Sequence, residues 1–407
     1  MLQCFGLLLL LLAFGSNLNA QKHHFKYVHP KTNSVRIPFK LVNNLVVIPL
    51  RINDSDTLNF ILDTGVRHTL VTQLSVKDSL QLNYYRHTQL LGLGKGDPIP
   101  AVQSYANTLY LPGLVGQDLE VVFLEQAIID FSSSMGMNVH GLLGYDLFQE
   151  FVVDINYVQK HLTLRRAFVP KRGRWTAIPL TIQNGKPYIK ATVWHQQDTA
   201  QVKLLADLGA SFALSLYQFG AHHLPEPTAT LPALIGRGLN GEVHGKIGRT
   251  DGCQLGTYRL NSPVANYPDS AFVAASIAIG QRQGILGAGI FRRFHCRIHY
   301  ADSVMWIKPN RYFKSSFTYN RSGIEVLAPV PGLAFYRIVY APSHSPGYKA
   351  GLREGEQITY LNRQPVTHMT IDEVLGYLHG SRSKKVKVEV SRNGQPLRFV
   401  LELKDQL

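Results

Sequence analysis

Asp63-Thr64-Gly65 and Asp207-Leu208-Gly209 each set a carboxylate on a tight glycine turn, and the chain builds this device twice. Each copy follows an apolar run, Phe60-Ile61-Leu62 or Leu204-Leu205-Ala206, and leads into another, Thr69-Leu70-Val71 or Phe212-Ala213-Leu214. Two carboxylates within hydrogen-bond distance cannot both ionise cheaply, so such a pair shares a proton. The ionised member can activate a water as general base. The protonated member can donate to a carbonyl oxygen as general acid. The pKa values then belong to the pair and not to either residue. Gly65 and Gly209 would let the backbone turn sharply and approach the opposite copy closely, with their amides aimed at the carboxylates. This chemistry requires no metal, no covalent nucleophile and no organic cofactor.

The two copies belong to a longer repeat. Asp63 and Asp207 lie 144 residues apart, and Leu90-Leu91-Gly92-Leu93-Gly94 meets Leu234-Ile235-Gly236-Arg237-Gly238 at the same offset. Gly141-Leu142-Leu143-Gly144 meets Gly284-Ile285-Leu286-Gly287 at an offset of 143. Beyond these, Phe148, Phe151, Ile155 and Tyr157 match Phe291, Phe294, Ile298 and Tyr300. Three landmarks in one order indicate an internal duplication. Its period is too long for a solenoid, and each half is of domain size.

An Asp-Thr-Gly loop, a glycine-bearing hairpin and a hydrophobic-hydrophobic-Gly element (Leu142-Leu143-Gly144, Ile285-Leu286-Gly287) together resemble one lobe of an aspartic peptidase. The resemblance covers about residues 40–310. The short lobes, with Val66 and Ala210 after the glycines, resemble the retroviral type; their fusion in one chain is similar to pepsin's arrangement. It implies that Asp63 and Asp207 are catalytic, supported by Thr64, Gly65, Leu208 and Gly209. It also implies that Thr64 hydrogen-bonds across to the other loop, a bond Leu208 cannot return. Val66 and Ala210 lack the hydroxyl that pepsin-like enzymes place beside a catalytic carboxylate. A lost donor to the charged form raises its pKa, so a less acidic working range than pepsin's is expected. Gly92, Gly94, Gly236 and Gly238 mark two hairpins in the flap position, where a flap excludes water and pairs with an extended peptide.

Many short strands with few long helical patterns predict an all-β pair of homologous acid-protease-type β-barrel lobes. Leu45–Ile52 and Leu58–Leu62 read as strands entering the first turn. Residues 21–40 read as an extended lead-in, 21–170 as the first lobe and 171–315 as the second, joined through the charged stretch Arg165–Trp175. From about Asn320 the character changes. Gly332-Leu333-Ala334-Phe335, the strand-like Tyr336–Val339, and a helix over Thr370–Leu378 with Glu373 three residues after its cap look like a bacterial-type PDZ domain of α+β build, residues 321–407. The resemblance assigns the Gly332–Phe335 loop to binding a peptide carboxylate, with strand addition beside Tyr336. Gly355-Glu356 replaces the family's usual Gly-Asp.

Composition narrows the setting. The net charge of +15 comes from scattered Lys and Arg, densest at Arg382, Lys384, Lys385 and Lys387, which reads as a solvated surface and not a nucleic-acid interface. The leucine-rich block Phe5–Phe14, then Asn17-Leu18-Asn19-Ala20, reads as a signal peptide over residues 1–20, with no Lys or Arg before it. Nothing beyond it could span a bilayer, so an exported protein of the periplasm, cell envelope or outside is expected. Cleavage leaves Cys253 and Cys296, for which a bridge and two buried thiols both remain open. His222-His223 and His295, Cys296, His299 do not match a zinc spacing. The reading is therefore an aspartic endopeptidase acting on peptide or protein substrates, with a PDZ domain for peptide tails. The alternative is a non-catalytic peptide-binding protein with a decayed site, signalled by Leu208.

Overall fold

The computed structural model describes residues 24–407 apart from 75–79, 91–95, 127–128, 168–174, 219–223, 225, 239–240 and 381–382. The leader 1–20, Gly92, Gly94 and the His222-His223 pair lie outside the described residues. Among the described residues the chain forms four sheets. A nine-stranded sheet belongs to the first half and a ten-stranded sheet to the second. Leu45–Ile52 is a near-continuous apolar run because both its faces are covered, and the same holds for Leu58–Leu62.

The duplication is visible in the strand pairing. Gly141–Leu143 inserts between Leu58–Leu62, to which it is parallel, and Thr69–Val71, to which it is antiparallel. In the second half Gly284–Gly287 inserts the same way between Asp198–Asp207 and Leu214–Leu216. In both halves the hydrophobic-hydrophobic-Gly strand thus wedges between the strand entering the Asp turn and the strand leaving it. Gly287 N–H bonds Ala213 O at 2.9 Å, and Asp63 N–H bonds Leu143 O at 2.9 Å, so these strands hold the two turns in place.

A six-stranded sheet joins the halves. Its centre pairs Val152–Asn156 with Phe294–His299, in the register Val153↔Ile298, Asp154↔Arg297, Ile155↔Cys296. Within the extended lead-in expected over residues 21–40, the described residues from His24 on join the sheets. Phe25–Tyr27 pairs with Leu114–Leu124, and Ser34–Pro38 edges the six-stranded sheet beside His161–Arg165. Phe25 and Ile37 are fully buried there, and their apolar burial adds to the strand pairing that anchors this polar segment. One core runs through both lobes and includes Cys253 and Cys296, which are free buried thiols. No helix among the described residues is long and apolar enough to cross a membrane.

The C-terminal domain has its own core, from Ile324 to Leu403. The helix Ile371–His379 starts on a full capping box between Thr370 and Glu373. Glu356 is buried and accepts from Arg353 N–H at 2.8 Å and from the Arg392 side chain, a distal Arg that suits the longer acid. This domain docks on the first lobe. Ala328 N–H donates to Ser133 O at 2.9 Å, Gly332 N–H to Gly136 O at 3.1 Å, and Asn43 N–H to Asp372 Oδ1 at 2.9 Å.

Candidate active site

The two Asp turns meet. Gly65 N–H donates to Asp63 Oδ1 at 2.6 Å and Gly209 N–H to Asp207 Oδ1 at 2.9 Å, so each carboxylate is held by the glycine amide of its own loop. A Cβ added at Gly65 would lie 3.0 Å from both Asp207 Oδ2 and Asp63 Oδ1. One added at Gly209 would overlap the Asp63 carboxyl. The carboxylates therefore converge across the lobe boundary, and only glycine leaves room for it.

Thr64 locks this approach. Its hydroxyl donates to Ala206 O at 2.6 Å and accepts from Leu208 N–H at 3.0 Å, both in the opposite loop. Leu208 contributes its backbone amide and buries its side chain in the shared core, so it returns no side-chain bond. A second brace was not singled out by sequence reasoning. Asn43 and Asn44 occupy the left-handed region at φ 48° and 68°, which Asn tolerates better than most residues. Asn44 Nδ2 donates to Ser211 O at 2.7 Å, just past the Asp207 turn, and its Oδ1 accepts from Arg292 at 2.5 Å. Asn43 Nδ2 donates to Ser134 O at 3.0 Å. This turn thus touches both lobes and the C-terminal domain.

Burial first, then the charge of Asp207 and a hydrogen bond with it, hold Asp63 well above the usual carboxylate range; Gly65 N–H and the more distant Lys186 pull the other way. Asp146, in the helix Tyr145–Glu150 that follows Gly144, is pushed up to about 6 by burial, although Thr69 donates to it at 3.1 Å. A dyad that must carry one proton keeps it to higher pH when that group is raised. The kcat/KM profile against pH should therefore hold its plateau well above the pepsin-like acidic range. Activity confined to the most acidic end of the profile would contradict this.

A hairpin stands at each of the two segments that the sequence marks as flap candidates. Tyr85–Leu90 pairs with Ile99–Leu111, and the Gly92 and Gly94 tip between them lies outside the described residues. Thr230–Gly238 pairs with Gly241–Arg249, with a bulge between Leu234 and Gly236. Gly236 and Gly238 sit over a cavity of about 100 Å³ walled by Phe212, Tyr217, Val273 and Ile285. Elsewhere, His295 bonds Asp154 at 2.5 Å and Cys296 lies in the core. Among the described residues no group of three or more His, Cys, Asp or Glu side chains is placed to hold a metal ion.

Comparison with known proteins bears on this geometry. Residues 48–147 match the family model described as aspartyl protease, and residues 338–392 match the PDZ domain model. This chain carries an aspartyl protease domain and a PDZ domain. The protease match spans the Asp63 turn and the first hydrophobic-hydrophobic-Gly element, and the repeated strand pairing described above extends the same plan to Asp207. Among solved structures, the aspartic proteinase from Irpex lacteus is similar at 11% identity and a TM-score of 0.45, over 69% of this chain and 99% of that one. No curated protein matches.

Proposed function

We propose that the protein is an aspartic endopeptidase in which Asp63 and Asp207 share a proton and hydrolyse peptide bonds with one water. The observation that carries this is the convergence of both carboxylates on the Gly65 backbone, each held by its own glycine amide. The ionised carboxylate takes a proton from water as the oxygen attacks the scissile carbonyl carbon. The protonated carboxyl gives its proton to the carbonyl oxygen, forming a tetrahedral diol. Collapse of the diol breaks the C–N bond as a proton passes to the amide nitrogen, and the pair returns to its starting state. The hairpins supply strand-like hydrogen bonds to an extended peptide and exclude water. The leucine-rich leader supports an exported setting for this activity, with cleavage before Gln21. N-terminal sequencing of the mature protein checks that: a chain starting at Met1 would remove it.

A denatured protein mixture incubated with wild type and with Asp63→Asn tests the peptidase reading. Fragments should form with wild type alone. Equal fragmentation by both proteins would end it. The one-sided Thr64 brace favours a second reading, a cleft that binds peptides without cutting them.

In the PDZ domain the Gly332–Phe335 loop is already occupied. Gly332 N–H is spent on Gly136 O, Leu333 N–H on Val330 O at 3.1 Å, and Phe335 N–H on Leu333 O at 2.8 Å. Capture of a peptide carboxylate by this loop therefore requires it to rearrange and leave the first lobe. The isolated loop contact can be probed in the full chain. Asp372→Ala, which removes the neighbouring bond to Asn43, should tighten binding of peptides with free C-termini. Unchanged affinity would detach docking from peptide capture.

A further inference from the structure

Beside Asp207 stands a cation that the hydrolytic chemistry leaves unused. Tyr188 and Leu205 are registered partners in the strand pair Lys186–His195 and Asp198–Asp207. Side chains two residues apart on a strand share a face. Lys186 and Asp207, each two residues further on, therefore continue the face of Tyr188 and Leu205 and end their strands side by side. That face carries a cluster of Tyr188, Leu205, Tyr217, Val273 and Ile285. Tyr217, Val273 and Ile285 also wall the cavity under the second hairpin.

Lys186 is half-buried, and among the described residues its side chain makes no hydrogen bond or ion pair, its backbone being paired with Gln183. Arg282 joins it. Its side chain is buried, its guanidinium lies 5.7 Å from the centre of the Tyr217 ring, and its Nε has no hydrogen-bond partner. Burial and the like charge of Arg282 lower the pKa of Lys186, against the pull of Asp207 and Asp63. A dyad sharing one proton carries one negative charge. The partly desolvated Lys186 beside that anion, with the buried Arg282 on the neighbouring Tyr217 ring, leaves a positive excess, which is costly away from water. One further carboxylate would neutralise it.

We propose that Lys186, with Arg282 behind it, is a specificity determinant that selects a substrate carboxylate close to the scissile bond, its apolar stem lying in the cavity beneath the second hairpin. The source is either a glutamate side chain or the free end of the substrate chain. This rests on the peptidase reading of the cleft, and the test separates the two. Matched octapeptides carry Glu or Gln at each position flanking the cut, with the C-terminus free or amidated. At one position Glu should exceed Gln in kcat/KM by about tenfold or more. Lys186→Met and Lys186→Gln should bring that ratio close to one, and Lys186→Arg should retain most of it. A preference that follows the free terminus and not Glu identifies the chain end as the source. Cleavage that requires Asp63 but shows no carboxylate preference, or a preference that survives Lys186→Met and Lys186→Gln, overturns the inference and leaves the peptidase reading intact. If wild type cuts none of the peptides, the peptidase reading fails. Calorimetric Kd values for the same set then decide: tighter binding of the carboxylate peptides, lost in Lys186→Met and Lys186→Gln, supports the subsite, and equal binding overturns it.

Discussion

Asp63→Asn should melt at a higher temperature than wild type at neutral pH while losing at least about 10⁴-fold in peptide hydrolysis. The two effects have one origin. Burial and the neighbouring Asp207 raise the Asp63 pKa above its unfolded value. The folded state thus holds a proton that the unfolded chain releases. The stability linked to that proton is fully present below the unfolded carboxylate pKa, near 3.9. It is lost as pH rises through the folded pKa. As pH rises the wild type must either keep that proton or hold a crowded, desolvated carboxylate beside Asp207, and Asn, which carries no charge, avoids both costs. The gap in Tm should therefore shrink as pH falls toward 4. Thermal melts across pH check this, and a variant less stable than wild type at pH 7 would contradict it.

Asp154→Ala should cost about 3–5 kcal/mol, the range for removing one partner of a buried ion pair. Asp154 is 5% exposed at the centre of the sheet that joins the lobes. It accepts from His295 Nε2 and from Arg297 Nε, both at 2.5 Å, and the Arg297 guanidinium lies 4.1 Å from the centre of the Trp175 ring. Its loss takes the carboxylate away from the half-buried Arg297 guanidinium on the facing strand. The pH sense is the reverse of that for Asp63. Burial works against ionisation, but the hydrogen bonds and charges of His295 and Arg297 prevail, and the Asp154 pKa is lowered. Its contribution is therefore present above the unfolded carboxylate pKa and lost only as pH falls through the lowered one. Denaturant unfolding at pH 7 should show the full difference. A difference under about 1 kcal/mol would mean the pair does not hold the lobes together.

The parts of the site that were legible in the sequence are those set by near neighbours. An apolar run, an Asp, a Gly and a second apolar run describe a strand-turn-strand by themselves, and the hydrophobic-hydrophobic-Gly strands repeat in the same order. The capping box at Thr370 and Glu373 is equally local. Lys186, Asn44 and Asp146 escaped notice because their positions depend on pairings between distant strands. Lys186 reaches the dyad only through the register that sets Tyr188 opposite Leu205. The helix Ser270–Gly280 also went unread: its SAFVAASIAIG sequence is apolar almost throughout and lacks the polar face by which a surface helix is recognised. The Gly332 loop was legible as a loop, but its partner, Gly136, lies in another domain.

Hydrolysis rates of one unfolded substrate by wild type, Asp63→Asn, Asp207→Asn and the double variant test the shared dyad most directly. Groups that act as a unit are non-additive. Each single variant should fall to nearly the residual rate of the double variant. Appreciable hydrolysis by Asp207→Asn, or single losses that multiply in the double variant, would mean that the two carboxylates do not work on one water.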